Sequence, residues 1–301
     1  MSWVILVLLG AIWGASYMFI KIGVAEIPPF TFVEGRTLIA AIALLIVLRL
    51  RGGALPRTRR EWLPLIAMGI FNGVIPYTLI TWGELYISSG LAAILTAAMP
   101  IFTVILAHYL THDEKLSAPK ILGIFVGFVG VAVLFLEELL RGLQMEFWGQ
   151  LAVVLAALSY AIATLVARRF LRGVSHVVAA AGQLGSAAVW MLPLSLAFDH
   201  PWALRPSLAA IGSLVILALL GTAFAYILYY WLVENAGATR TALAVYIIPI
   251  AGVVWGALFL AEPLRFDAMV GLVLIIAGIG LVNRSGVPTR APRVDAAVSG
   301  K

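Results

Sequence analysis

Charged and strongly polar side chains stand at isolated positions inside long apolar stretches of this sequence. Arg36 interrupts one stretch, with Glu34 two residues before it, and Glu84 closes another. An ionised group in such surroundings is costly unless it is paired or wet, so it is a candidate functional group. Arg36 is a candidate site for an anion such as a carboxylate, and Glu34 and Glu84 are candidate proton carriers. The alternatives are a structural salt bridge or snorkelling for Arg36, and an interfacial helix cap for Glu84.

Aromatic residues also lie inside the apolar stretches rather than at their ends. A buried tyrosine needs a hydrogen-bond partner or a wet cavity for its hydroxyl group. Together with the buried amide of Asn72, these residues predict a binding cavity for a small molecule, although aromatic packing between helices explains them equally well. The predicted substrate-binding set is Trp13, Tyr17, Asn72, Tyr77, Thr96, Pro100, Tyr160, Tyr226, Tyr230, Tyr246 and Pro249.

Two prolines in this set occupy equivalent places in two similar segments. Pro100 and Pro249 are 149 residues apart, and the same offset relates Tyr77 to Tyr226. With one residue of slippage, Glu114 corresponds to Glu262. A proline within a helix removes one backbone hydrogen bond and kinks the helix, so we expect a kink in each copy that leaves a carbonyl free for a ligand.

The elements that carry these residues are predicted to be transmembrane helices. The chain is 63% hydrophobic and 11% charged, with a mean hydropathy of +1.06, whereas a soluble domain is about half apolar and about a quarter charged. Ten apolar runs of about 20 residues follow one another, including Gly90–Leu110 and Thr239–Leu260. A chain surrounded by lipid must pair its own backbone groups, which favours helices. The predicted fold is therefore an all-α integral membrane protein.

The basic residues predict the orientation of these helices. If the N-terminus is cytoplasmic, fifteen of the 20 Lys and Arg residues fall in inner loops and the tail, which is the bias of a multi-pass protein of the inner membrane. Both termini are then cytoplasmic. This distribution explains the net charge of +6 without a nucleic-acid partner. The chain contains no cysteine, so thiolate metal sites and disulfides are excluded.

The repeated unit predicts the architecture. Each copy contains five helices, so the second copy enters the membrane from the opposite face and the repeats are inverted. We expect a first repeat at 1–140, a second at 146–283 and a disordered cytoplasmic tail at 284–301. Glycines in helices 5 and 10 predict close packing within the bundle, and the chain is expected to be a monomer or a weak homodimer.

Short motifs in both copies resemble one family of membrane proteins. The first copy contains Gly10–Ser16 followed by Lys21, and later Ser88–Ala93. The second contains Thr241-Ala242 and Glu262-Pro263-Leu264. In this order the motifs resemble the EamA domain of the drug/metabolite transporter superfamily. The resemblance implies a ten-helix secondary carrier, with exporters of amino acids and other metabolites among its relatives.

The expected function is therefore secondary active export of a small organic metabolite by alternating access. The substrate is expected to be uncharged overall or zwitterionic, and the energy to come from its own gradient or from protons. A membrane-embedded enzyme and a passive channel are the alternatives. No catalytic group, metal site or cofactor is expected, since the one histidine pair at helical spacing, His108 and His112, lies where a helix leaves the membrane.

Overall fold

The computed structural model describes residues 1–111 and 116–284, and within these ranges all regular secondary structure is helical. The first half contains α1 to α7, with a π-helical segment, Ile70–Val74, between α3 and α4. In chain order the α-helices are α1 Ser2–Val24, α2 Pro29–Leu50, α3 Arg59–Gly69, α4 Ile75–Gly83, α5 Ser89–Thr96, α6 Met99–Leu110 and α7 Ala118–Arg141.

The second half follows the same plan. A π-helical segment, Leu217–Phe224, lies between α10 and α11, and Ser195–Asp199 extends α9 as a further π-helical segment. In chain order the α-helices are α8 Met145–Phe170, α9 His176–Leu194, α10 Leu208–Ile216, α11 Ala225–Ala236, α12 Ala238–Thr241, α13 Ala244–Leu260 and α14 Phe266–Arg284.

The described residues form nine helical segments long and apolar enough to cross a membrane. A tenth apolar helix, α13, is shorter, with 17 residues. Two of the nine, Arg59–Gly83 and Leu208–Ala236, cross as an α-helix, a π-helical segment and a second α-helix. The prediction of an all-α membrane protein is confirmed. The tail predicted at 284–301 falls, beyond Arg284, outside the described residues.

Two of the predicted continuous helices are broken. The run Gly90–Leu110 is interrupted at Ala97 and Ala98, and Pro100 occupies the first turn of the new helix, α6. A proline fits there because the first amides of a helix have no partner within it. The prediction of a kink within one helix is therefore wrong at Pro100. In the second half the break falls earlier, at Ala242 and Leu243, and Pro249 lies inside α13.

The helix packing relates the two halves. Two extensive contacts join equivalent helices: α2 with α9, and α7 with α14. Other contacts occur in exchanged pairs, since α1 packs on α13 as α8 packs on α6, and the segment at 70–74 packs on α9 as the segment at 217–224 packs on α2. If each helix is replaced by the equivalent helix of the other half, one contact of a pair becomes the other.

Small residues allow α7 and α14 to approach closely. A Cβ atom added to Gly123 would lie 2.6 Å from the carbonyl oxygen of Gly278, and one added to Gly130 would lie 3.0 Å from that of Gly271. These backbone contacts confirm the prediction that the glycines serve packing within the bundle. Gly280 is different, because a Cβ atom added there would meet no other atom within 4 Å.

Candidate functional site

Four tyrosines from three helices meet between the two halves. Tyr77 of α4, Tyr160 of α8, and Tyr226 and Tyr230 of α11 pack in one cluster with residues of α2 and α9. We call these four residues the tyrosine cluster. The rings of Tyr226 and Tyr230 are stacked, with centroids 5.8 Å apart. The sequence predicted that these tyrosines share one site, and the structure brings them together.

Arg36 lies against this cluster and is 7% exposed. Its guanidinium carbon is 3.8 Å from the centre of the Tyr77 ring, a distance at which a cation is attracted by the ring face. Its Nε atom donates a hydrogen bond of 2.9 Å to Oγ1 of Thr222. Within the described ranges Arg36 forms no ion pair with an acidic residue. The alternative of a structural salt bridge with Glu34 or Glu84 is therefore wrong in this conformation.

Asn72 supplies the amide group of the site. Its Nδ2 atom donates to the hydroxyl oxygen of Tyr226 at 2.8 Å and to Oε1 of Gln183 at 3.2 Å. Gln183 is buried on α9, and its own Nε2 atom has no hydrogen-bond partner among the described residues. A buried donor without a partner favours a ligand or water that accepts a hydrogen bond.

Two π-helical segments position these polar groups. Asn72 belongs to the segment Ile70–Val74, and Thr222 belongs to Leu217–Phe224. The Thr222 hydroxyl also donates to the carbonyl oxygen of Leu217, five residues earlier. A π-helical turn widens the helix locally and often occurs at functional sites. Thr222 is absent from the site predicted from the sequence. The one sequence signal for it is that it falls close to Asn72 when the two copies of the repeat are aligned.

Other predicted residues lie around the cluster rather than in it. Tyr17 of α1 is buried. Thr96, at the end of α5, donates its hydroxyl group to the carbonyl oxygen of Ala92 in its own helix. Trp13 packs against Tyr229, with centroids 5.6 Å apart, in a separate apolar cluster with residues of α11 and α13. Tyr246 accepts a hydrogen bond from Asn283 at the end of α14. Only part of the predicted set therefore meets at one place.

The two acidic candidates differ in their surroundings. Glu34 on α2 is 8% exposed, and its Oε2 atom has no hydrogen-bond partner in the described chain. Glu84 follows α4, is fully buried, and neither carboxylate oxygen has such a partner. The Glu84 side chain does not act as a helix cap in the described chain, since neither of its oxygens accepts a hydrogen bond there.

Polar contacts hold the two halves together at the end of the bundle opposite both termini. We call them the outer contacts. The Glu262 carboxylate accepts from the backbone amides of Ser89 and Gly90 at 2.8 and 3.0 Å. Three further pairs are Thr31 with Asp199, Glu26 with Ser207, and Glu137 with Arg265. These contacts close one end of the interface between the halves.

Metal binding finds no support in the described part of the chain. No group of three or more His, Cys, Asp or Glu side chains could hold an ion there. Of the histidine pair at helical spacing, His108 accepts a hydrogen bond from the Leu116 amide at 3.3 Å, and His112 lies outside the described residues. A shallow depression of about 300 Å³ on α2 is lined by four aliphatic side chains and Arg49, between Ile42 and Leu50.

A membrane-spanning helical bundle with a buried polar site between two similar halves is the architecture of a transport protein. The model of the EamA-like transporter family matches residues 1–136 and again residues 147–284. The chain belongs to this family. It is therefore a multi-pass membrane transporter with a small-molecule substrate, and not an enzyme.

Curated relatives have similar lengths. An uncharacterized transporter, YoaV of Bacillus subtilis (strain 168), is 28% identical over 268 residues, which cover 89% of this chain and 91% of that protein. The inner membrane transporter YedA of Escherichia coli (strain K12) is 28% identical over 276 residues, 90% and 87% of the two chains. A protein of Streptantibioticus cattleyicolor named as a probable terminal-alkyne amino-acid exporter is 29% identical over 280 residues, 93% and 92% of the two chains.

A solved crystal structure has the same fold. It superimposes with a TM-score of 0.67 and covers 93% of this chain and 96% of its own, at 17% sequence identity. At this identity the likeness concerns the fold alone.

Proposed function

We propose that this transporter is a secondary active carrier that exports small organic metabolites, such as amino acids or related compounds, by alternating access. The observation that carries the proposal is Arg36, a buried cation that lies over Tyr77 without a carboxylate partner in the described chain. A buried arginine presents paired donors that match a carboxylate. The substrate carboxylate would complete this site.

The tyrosine cluster would bind the rest of the substrate. Its ring faces suit apolar groups, and the Asn72 amide and tyrosine hydroxyls suit polar ones. The name of the Streptantibioticus relative supports an amino-acid substrate and outward transport. No basic residue other than Arg36 is buried among the described residues, so a substrate with several phosphate groups would lack counter-charges.

Alternating access is supported by the relation between the halves. The exchanged packing pairs fit two inverted five-helix repeats, and the outer contacts close the end opposite the termini. Opening that end while the opposite end closes would move the site from one side of the membrane to the other. In the proposed orientation both termini are cytoplasmic and the protein lies in the inner membrane.

Counterflow in proteoliposomes tests the carrier mechanism. Liposomes are loaded with an excess of one unlabelled proteinogenic L-amino acid, and the same labelled amino acid is added outside; each amino acid is tested in turn. A carrier accumulates label transiently above equilibrium and saturates. Flux that never saturates and shows no counterflow would instead identify a passive channel.

The orientation is tested separately with single cysteines, since the natural chain has none. Ala54→Cys lies in the loop after α2 and Arg205→Cys in the loop before α10, and both native residues are exposed. A membrane-impermeant thiol reagent applied to intact cells should label position 205 and not position 54. The reverse pattern would show that the termini are outside.

A further inference from the structure

The connection between α4 and α5 contains a carboxyl group that the proposed site leaves unexplained. Glu84 is 0% exposed, and neither of its carboxylate oxygens has a hydrogen-bond partner in the described part of the chain. An ionised carboxylate in that position would have lost its water without compensation. The surroundings therefore favour the neutral, protonated form while the protein is in this conformation.

The nearest cation does not neutralise the Glu84 carboxylate by a direct bond. The Lys21 ammonium donates to the backbone carbonyl oxygens of Glu84 and Ile87, at 2.5 and 2.8 Å. The charged or titratable groups that act on Glu84 are Lys21 and Tyr17 on α1, Arg36 on α2, and Glu262 after α13. Burial raises the pKa of Glu84 well above its usual 4.5; Lys21 opposes this effect, and the negative charge of Glu262 adds to it.

Glu84 follows directly on α4, the helix that carries Tyr77 of the tyrosine cluster, and its backbone carbonyl accepts a hydrogen bond from Lys21 on α1. Its carboxyl group is in the field of Glu262, whose carboxylate caps α5. It is also in the fields of Arg36 and Tyr17. Its charge therefore acts both on the contacts that close the outer end and on the cation proposed to bind the substrate carboxylate.

We propose that Glu84 is the coupling site of this transporter, at which a proton and the ammonium group of a zwitterionic substrate compete for the same carboxylate oxygens. The proposal rests on the proposed function and deepens it, since it assigns the substrate class and the coupling ion. Arg36 would hold the substrate carboxylate and Glu84 the substrate ammonium group.

The burial of Glu84 would couple proton movement to substrate movement. The outer end closes over this carboxylate only when its charge is compensated, either by a proton or by an ammonium group. When the outer end is open, an O–H bond forms between Glu84 and a proton taken from outer water. When the inner end is open, that bond breaks, the proton passes to inner water, and the ionised carboxylate accepts the substrate ammonium group. A proton thus moves inward as a substrate moves outward.

Glu34 provides a matched control. It is a buried glutamate on the outer half of α2, but only one of its oxygens is both buried and without a partner. Glu34→Gln removes a carboxyl group of the same type without touching the proposed coupling site.

The first test needs no substrate. Infrared difference spectra of the full-length protein in liposomes, recorded between neutral and alkaline pH, report the carbonyl stretch of protonated carboxyl groups. The Glu84 band is the wild-type band titrating above pH 7 that Glu84→Gln removes and Glu84→Asp shifts. Glu34→Gln should leave this band in place, even where it removes a separate band of the Glu34 carboxyl group. Persistence of every wild-type band in Glu84→Gln, or loss of the Glu84 band in Glu34→Gln, would overturn the proposal. The elution profile of each variant in size-exclusion chromatography shows that it is folded.

The second test separates coupling from transport. The probe is the labelled L-amino acid with the strongest counterflow. Glu84→Gln should retain at least some counterflow but lose accumulation driven by a pH gradient, whereas Glu34→Gln should retain both. Equal pH-driven accumulation in wild type and Glu84→Gln would overturn the assignment of Glu84. Absence of wild-type counterflow for every amino acid would instead contradict the proposed function, and the infrared result would still decide whether Glu84 binds the proton.

Discussion

Arg36 and Thr222 are joined across the two halves of the molecule by a hydrogen bond of 2.9 Å from Nε to Oγ1. The equivalent contact in exchanged positions joins Asn72 and Gln183, at 3.2 Å. In each case a residue of the second helix in one half meets a residue of a π-helical segment in the other half. The two contacts differ in chemistry, since only the first contains a charge, and this asymmetry places the positive charge on one side of the proposed site.

The bond between Arg36 and Thr222 predicts a positioning role for Thr222. Thr222→Val keeps the shape of the side chain but removes the acceptor of the Arg36 Nε atom. A hydrogen bond to a charged group contributes about 1.5–3 kcal/mol, so we expect the KM for counterflow to rise about tenfold or more with little change in the maximal rate. Thr103→Val is the control, because that hydroxyl donates only to the Met99 carbonyl of its own helix. Equal KM values in the two variants would contradict the role.

The close contact between α7 and α14 predicts a large difference between two glycines of similar sequence context. Gly278→Ala places a methyl group within 3 Å of the α7 backbone, whereas Gly280→Ala meets nothing within 4 Å. Overpacking costs about 1–3 kcal/mol. Thermal unfolding in detergent should therefore occur at a lower temperature for Gly278→Ala and at an unchanged or higher temperature for Gly280→Ala. Equal unfolding temperatures would show that these helices do not pack as described.

Glu262 is predicted to stabilise the outer end of the bundle. Its carboxylate accepts three hydrogen bonds from Ser89 and Gly90 at the start of α5. Loss of a helix cap costs about 0.5–2 kcal/mol, so Glu262→Ala should lower the unfolding temperature. Glu234→Ala is the control, because Glu234 forms an exposed pair with His176, and such pairs contribute about 0–1 kcal/mol. A Glu262→Ala variant as stable as Glu234→Ala would contradict the capping role.

The contact between Glu26 and Ser207 is predicted to weaken at acid pH. The Ser207 hydroxyl and amide both donate to its carboxylate at 2.7 Å, and these bonds lower its pKa from the usual 4.5. Because the pKa of Glu26 is lowered in the folded protein, its carboxylate stabilises the fold fully at pH values above its usual pKa. This stabilisation is lost as the pH falls through the lowered pKa. Glu26→Gln should therefore be less stable than the wild type at neutral pH, and the difference should vanish in acid. A difference in unfolding temperature that persists unchanged in acid would contradict this explanation.

Sequence reasoning succeeded where a polar residue contrasts with its neighbours. Arg36 and Asn72 are conspicuous in apolar runs, and the repeat related Tyr77 to Tyr226 before any coordinates placed them together. The all-helical fold followed from the same contrast, because apolar runs of this length have few other solutions in a bilayer.

Sequence reasoning failed where a feature depends on the conformation of the backbone. The π-helical segments that carry Asn72 and Thr222 leave no pattern in composition. The break before Pro100 and the earlier break before Pro249 depend on how α5 and α13 pack. The burial of Glu84 was also missed, because its place at the end of a helix indicates an interface. Lys21, which donates to the Glu84 carbonyl oxygen, is 63 residues away in the sequence.

The most direct test of the account compares an amino acid with its carboxamide in counterflow. We predict that the unlabelled acid inside the liposomes drives accumulation of the labelled acid and that the amide does not, because the amide cannot pair with the Arg36 guanidinium. Arg36→Gln should abolish the difference, whereas Arg169→Gln should preserve it, because Arg169 is exposed at the end of α8 beside Phe170. Equal counterflow by the acid and the amide in the wild type, or an unchanged preference in Arg36→Gln, would contradict the claim that Arg36 binds the substrate carboxylate.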